Sequence, residues 1–116
     1  MKYYSYFFTR QDISPEQQLV QTAHVALKLG TKSSRDSLTK ESMVIDPDNT
    51  YFSVVGVRNL WALEAVQTIL DHFNFKYEVF NEPDIKNEMT AIAVYPVMEI
   101  DRGPLLAFNL LKIDKK

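Results

Sequence analysis

Apolar residues recur along this chain in two rhythms, an alternation of two and a spacing of three and four, and the changes between them mark out its elements. Tyr3-Tyr4-Ser5-Tyr6-Phe7-Phe8 is aromatic on both alternating faces, the pattern of a central strand covered on both sides. After a short turn at Arg10-Gln11-Asp12-Ile13, Ser14 stands at an N-cap, Pro15 at the first helical position, Glu16 in the first turn and Gln17 where it completes a capping box. These signals predict a helix to about Leu29, with Gly30 as its C′ residue. Leu19, Val20, Ala23, Ala26 and Leu27 keep helical spacing and are expected to face the sheet. Gln17, Gln21, His24 and Lys28 fall on a second, polar stripe of the same helix.

From Thr31 to Thr50 the rhythm lapses, over more residues than a plain connection needs. A short helical turn around Ser37 to Met43 is expected there. Val44 and Ile45 then return to the core, and Asp46-Pro47-Asp48-Asn49 makes a turn. Tyr51 to Val57 is a second strand. Asn59 caps a second helix, Leu60 to Phe73, with Ala62, Leu63, Val66, Ile69, Leu70 and Phe73 as its buried face, Asn74 as a left-handed stop and Trp61 in a packing role. Phe75 to Phe80 alternates as a third strand, Asn81 to Glu88 is a polar loop, and Met89 to Tyr95 is a two-faced apolar strand ended by Pro96. Gly103-Pro104 opens a last helix to about Lys112, with a strand within Leu105 to Leu111, which lacks a clear period, as the alternative. The fold class predicted is α/β, a single three-layer domain in the order β-α-β-α-β-β-α. Its mixed four-stranded sheet has a parallel βαβ unit and an antiparallel third and fourth strand.

Composition narrows the chemistry. The 116 residues suit one domain over 1–116, and the absence of cysteine removes disulfides, thiolate nucleophiles and cysteine-ligated zinc. Two histidines 48 positions apart make a zinc site improbable, and glycines at 30, 56 and 103 make neither a P-loop nor a GxGxxG fingerprint. No metal and no cofactor are expected. There is no apolar run long enough to span a membrane and no signal-peptide profile at the start, so the expected location is the cytoplasm, with no membrane partner. A net charge of −2 does not advertise nucleic-acid binding, although Lys32, Arg35 and Lys40 make one segment locally basic. Glu82, Asp84 and Glu88 are candidates for acid and base work, and equally for solvation of a loop.

The run Arg10-Gln11-Asp12-Ile13-Ser14-Pro15, followed by Gln18 to Ala26 with Gln21-Thr22-Ala23-His24, resembles the opening of the type 2 peptidyl-tRNA hydrolases, the archaeal and eukaryotic class. The later runs Glu82-Pro83-Asp84 and Thr90 to Pro96 resemble that family's loop and last buried strand, so the likeness extends from about Tyr3 to Pro96, interrupted at 31–50. The resemblance implies hydrolysis of the ester that joins a peptide to the 3′ end of tRNA. It places Gln21, His24, Glu82 and Thr90 as catalytic candidates. Arg10, Asp12, Gln17, Lys28, Lys32 and Arg35 are substrate-binding candidates, with tRNA or peptidyl-tRNA as partner and a homodimer left open. Where the family carries a lysine one turn before its helix glutamine, this chain has Gln17. Where the family has an Asp-Ala-Gly-x-Thr loop, this chain has the shorter Glu82 to Lys86, as in a divergent branch. A non-catalytic tRNA- or protein-binding member of the same fold, and a small ligand-binding regulatory domain, are the alternatives.

Overall fold

A computed structural model describes residues 2–36 and 45–108, the side chains of 34–36 excepted. Its elements are β1 (Tyr3–Arg10), α1 (Pro15–Asp36), β2 (Thr50–Val57), α2 (Leu60–His72), β3 (Tyr77–Glu82), β4 (Glu88–Val94) and β5 (Val97–Met98), joined in part by short 3-10 turns. The predicted α/β order holds through β4, with five strands rather than four. The main sheet runs β2-β1-β4-β3, and β5 joins β1. β1 is parallel to β2, as the crossover through α1 requires, and antiparallel to β4.

The fifth strand arises because the chain does not leave the sheet at Pro96. Ala91 to Ala93 pair with β1, the ladder slips at Tyr95-Pro96, and Val97 and Met98 then rejoin the same edge of β1 opposite Tyr4 and Tyr3. Proline cannot donate to a ladder, so the break falls there. Around the break, the Ser5 hydroxyl donates to the Val94 carbonyl at 2.7 Å and the Tyr95 N–H to the Lys76 carbonyl at 2.9 Å.

Alternate residues of β1 and β4 point to opposite helices. Tyr6, Phe8, Ile92 and Val94 pack with Leu63, Val66 and Leu70 of α2, whereas Phe7, Ala91 and Ala93 pack with Val25 and Leu29 of α1. The sheet is therefore the middle of three layers, and β1 is the central strand its two-faced aromatic pattern predicts. No helix among the described residues is long and apolar enough to cross a membrane.

Several boundaries differ from expectation. Where a last helix is expected from Gly103, the described part is a short 3-10 turn, Gly103–Ala107, preceded by another at Glu99–Asp101; it buries Leu105, and Phe108 after it lies edge-on to Phe8 at 4.9 Å, while residues 109–112 lie outside the described residues. The turn expected at Ser37 to Met43, Val44, and Lys40 lie outside them too. The Asn81–Glu88 loop is mostly hairpin, since Glu82 pairs with Glu88 and only 83–87 lie between the strands. In α2 the Asn59 cap and the left-handed Asn74 are as expected, but Ile69 and Phe73 are partly exposed. Trp61 is 83% exposed and has no packing role in the core.

The largest correction concerns α1. It continues to Asp36, with Gly30 inside it rather than at a left-handed stop, and its buried row is Gln21, Val25, Leu29 and Ser33. Leu19 and Leu27, expected against the sheet, are 75% and 71% exposed. The helix carries two apolar stripes, and hydropathy alone does not choose between them. The choice follows from β4, where Ala91 and Ala93 leave room for Val25 and Leu29 while Thr90 supplies a partner for Gln21. A Cβ added at Gly30 would meet nothing within 4 Å. Gly30→Ala should therefore raise stability by about 0.5–1 kcal/mol through the helix backbone alone, read as an increased urea midpoint at unchanged m-value.

Candidate functional site

The polar stripe of α1 meets the β3–β4 hairpin, and a backbone irregularity makes the meeting possible. Between Phe80 paired with Ala91 and Asn81 paired with Met89, β4 carries one extra residue, Thr90. Such a bulge re-aims a side chain that strict alternation would send to the other face. Met89 and Ile92 pack on the α2 side and Ala91 on the α1 side, so Thr90 joins Ala91 beneath α1. There its hydroxyl donates to Gln21 Oε1 at 2.8 Å, across 69 positions of sequence. Gln21, 1% exposed, donates from Nε2 to Gln17 Oε1 at 3.1 Å. A hydrogen-bonded row thus leads from the buried strand to the surface.

The N-terminus of α1 is held as its sequence predicts, with Ser14 Oγ accepting from the Gln17 N–H at 3.2 Å. The return half of the capping box is missing because the Gln17 side chain turns instead to Gln21. The Gln17 amide nitrogen has no acceptor among the described residues, and the residue is exposed at the mouth of an open cleft of about 510 Å³. Gln21, His24, Val20 and Ile13 line the helix side of this cleft, and Glu82 and Asp84 line the hairpin side. Glu82 accepts from the Asp84 N–H at 3.4 Å and so caps the 3-10 turn Pro83–Ile85. Lys86 and Asn87 then take left-handed conformations that let the chain reverse in five residues. His24 lies flat on Phe80, ring centroids 4.5 Å apart and planes 2° from parallel. Gln17, Gln21, His24, Glu82 and Thr90 are thereby brought together.

Lys28 and Lys32 continue the row along α1 into a second cleft of about 410 Å³ that shares His24 with the first and is also lined by Phe80. The Lys28 ammonium donates to the Val79 carbonyl at 2.8 Å. Lys32 pairs with Glu78 at 3.0 Å, and the other Glu78 oxygen accepts from the Tyr95 hydroxyl at 2.9 Å. Arg35 lies on the last turn of α1, its side chain outside the described residues. Lys28 is roughly 16 Å of helix rise from Gln17, too far to supply the charge that Gln17 lacks.

Arg10 and Asp12 are placed elsewhere. Arg10 is buried, donating through Nε and Nη2 to both Asp12 oxygens at 2.9 and 2.8 Å, and through Nη1 to Glu88 Oε1 at 2.8 Å and the Met89 carbonyl at 3.3 Å. All three guanidinium nitrogens are spent within the protein, and neither residue lines the cleft, so Arg10 braces the β1–α1 turn against the start of β4 rather than offering itself to a phosphate. The hydrogen bonds from Arg10 hold the Asp12 carboxyl below the ordinary carboxylate range, and the bonds to Asp12 and Glu88, opposed by burial, raise Arg10 further above its usual value.

Sequence reasoning missed the roles of Glu88, Phe80 and Glu78. Phe80 was legible only as an alternating strand residue, and Glu88 only as one of several loop carboxylates; their partners lie 56 and 78 positions away in the chain. Among the described residues no three His, Asp or Glu side chains converge as metal ligands would.

No protein-family model matches this chain, and no curated protein does. Among solved structures, the chain is similar to Atu0240 of Agrobacterium tumefaciens strain C58, described as a protein of unknown function, with a TM-score of 0.64 over 97% of this chain and 99% of that one. At 13% sequence identity the likeness is one of fold, and it extends across the whole of both chains.

Proposed function

We propose that this protein hydrolyses the ester of peptidyl-tRNA, or of a related aminoacyl-tRNA, in the cytoplasm, at the cleft between α1 and the β3–β4 hairpin. The observation that carries the reading is the Thr90–Gln21 hydrogen bond, because a bulge aims a buried threonine at a buried helix glutamine whose own amide passes the row on to the exposed Gln17. Ester hydrolysis needs an oriented water and a donor toward the carbonyl oxygen as it becomes an oxyanion. Gln21 and Thr90 hold the ester end, Glu82 or His24 positions the water, and Gln17 donates its free amide N–H toward the oxyanion. Lys28 and Lys32 stand along one flank and exchange the Val79 carbonyl and Glu78 for phosphates of the tRNA, with Arg35 further along the same helix.

A neutral donor is weaker than a charged one, so Gln17 sets a low rate. Gln17→Lys should raise it by roughly tenfold, a fraction of the 10²- to 10³-fold that one oxyanion donor is worth. The test is release of labelled peptide from peptidyl-tRNA by the purified protein and by this variant; absence of turnover in both sinks the hydrolase reading. A second reading, a non-catalytic tRNA-binding member of the fold, is favoured by one feature: His24 is stacked on Phe80 and, among the described residues, has no hydrogen bond that would orient it as a base. Salt-sensitive tRNA binding without turnover selects that reading.

A further inference from the structure

β2 has the sequence of a buried strand and the position of an edge. Thr50–Val57 is Thr-Tyr-Phe-Ser-Val-Val-Gly-Val, with no charge and no proline along eight residues, the two devices that ordinarily blunt an exposed strand edge. Among the described residues it pairs with β1 alone; α1 is seated over β3, β4 and β1 and α2 over β4 and β1, neither chiefly over β2. Its side chains are apolar on both faces. Tyr51 stacks on Tyr4 and Phe52 on Phe7 at centroid distances of 5.3 and 5.6 Å, and both remain about half exposed.

The residues flanking the strand say what fits it. Asp48 lies exposed just before β2, and Arg58 lies exposed just after it; neither side chain has an ion-pair partner among the described residues. A partner strand laid antiparallel on the edge needs an acid where this strand has Arg58 and a base where it has Asp48. Another β2 supplies both. With a two-fold axis at Ser53, Tyr51 stands opposite Val55 and Phe52 opposite Val54, and Asp48, in the 3-10 turn just before β2, comes to the end of the partner strand beyond which Arg58 lies. Every opposed pair then shares a sheet face, as antiparallel pairing demands.

We propose that β2 is a dimerisation edge, at which a second copy of this chain adds its own β2 antiparallel and joins the two sheets into one.

Sedimentation of the full chain at about 100 µM, a concentration at which a weak symmetric dimer is populated, should give twice the 13.4 kDa monomer mass. Phe52→Lys should return it to a folded monomer. Arg58→Glu should weaken the dimer by roughly tenfold, and the Asp48→Lys, Arg58→Glu double variant should recover it, since the pair is restored with its signs exchanged. Because the chain has no cysteine, Ser53→Cys offers a direct reading of the axis. It should cross-link to itself under mild oxidation, strands so paired bringing opposed Cα atoms within disulfide reach, whereas Ala65→Cys on α2 should not. A monomer at this concentration overturns the proposal, and protected β2 amides in that monomer would make residues 37–44 of the same chain the cover. A dimer indifferent to Phe52→Lys and without the Ser53→Cys cross-link overturns it as well, by placing the interface elsewhere.

Discussion

If the proposed hydrolase reading holds, a protein carrying Gln21→Ala and Thr90→Ala together should lose peptide release from peptidyl-tRNA by about 10²-fold or more, while its affinity for tRNA stays within a few-fold. The two side chains are one unit, joined at 2.8 Å beneath α1, so either change alone disrupts more than the contact it removes. Thr90→Val would leave the Gln21 oxygen buried without a donor, at about 1–3 kcal/mol, and a fall in rate would then mix chemistry with destabilisation. Removing both partners deletes the pair and leaves no orphan between them. Circular dichroism of the double variant should match the parent. Unchanged release by a double variant that remains folded would mean that the ester is not held at this row. A parallel loss of tRNA affinity would show that the row binds rather than orients.

Arg10→Met should lower stability by about 2–3 kcal/mol and the melting temperature by roughly 8–12 °C. The guanidinium joins the β1–α1 turn to the first residues of β4, and methionine keeps the buried stem while deleting every hydrogen bond. The cost stays below the 3–5 kcal/mol of a fully buried pair because the Asp12 and Glu88 side chains are about a third exposed and find water when the arginine is gone. The pH dependence identifies the cause. Asp12 has a folded-state pKa below its unfolded value, near 3.9, so its contribution is complete above that pH and is lost as pH falls through the folded value. The stability difference between parent and Arg10→Met should therefore be constant above about pH 5 and shrink toward pH 2. A difference that did not change with pH would assign the loss to packing. Because β4 begins at this brace, two residues before Thr90, the variant should also release peptide more slowly at temperatures where it is fully folded.

The exposed apolar face of α1 bears on both experiments. Val20 and Leu27 border the two clefts that the polar stripe lines, so the stripe lies in the seam between helix and hairpin instead of on an outer surface. A reading that buries Leu19 and Leu27 would have turned Gln21 toward solvent and left Thr90 without a partner. The same 22-residue helix offers both solutions to periodicity; its neighbours accept one.

What the sequence determined by itself was local. Ser14, Pro15, Asn59 and Asn74 announce helix ends because caps act on backbone groups within a few residues, and the run Tyr3 to Phe8 announces a central strand because its aromatic residues fall on both alternating faces. The parallel β1–α1–β2 unit and the antiparallel β3–β4 pair follow from the lengths of chain between them. The tertiary structure alone decided the roll of α1, the extra residue at Thr90, the return of the chain at Val97 and the spending of Arg10 on Glu88. Each depends on groups brought together from dozens of positions apart. A side-chain pattern records which residues avoid water, whereas the partner that each polar residue meets is set only when the layers close on one another.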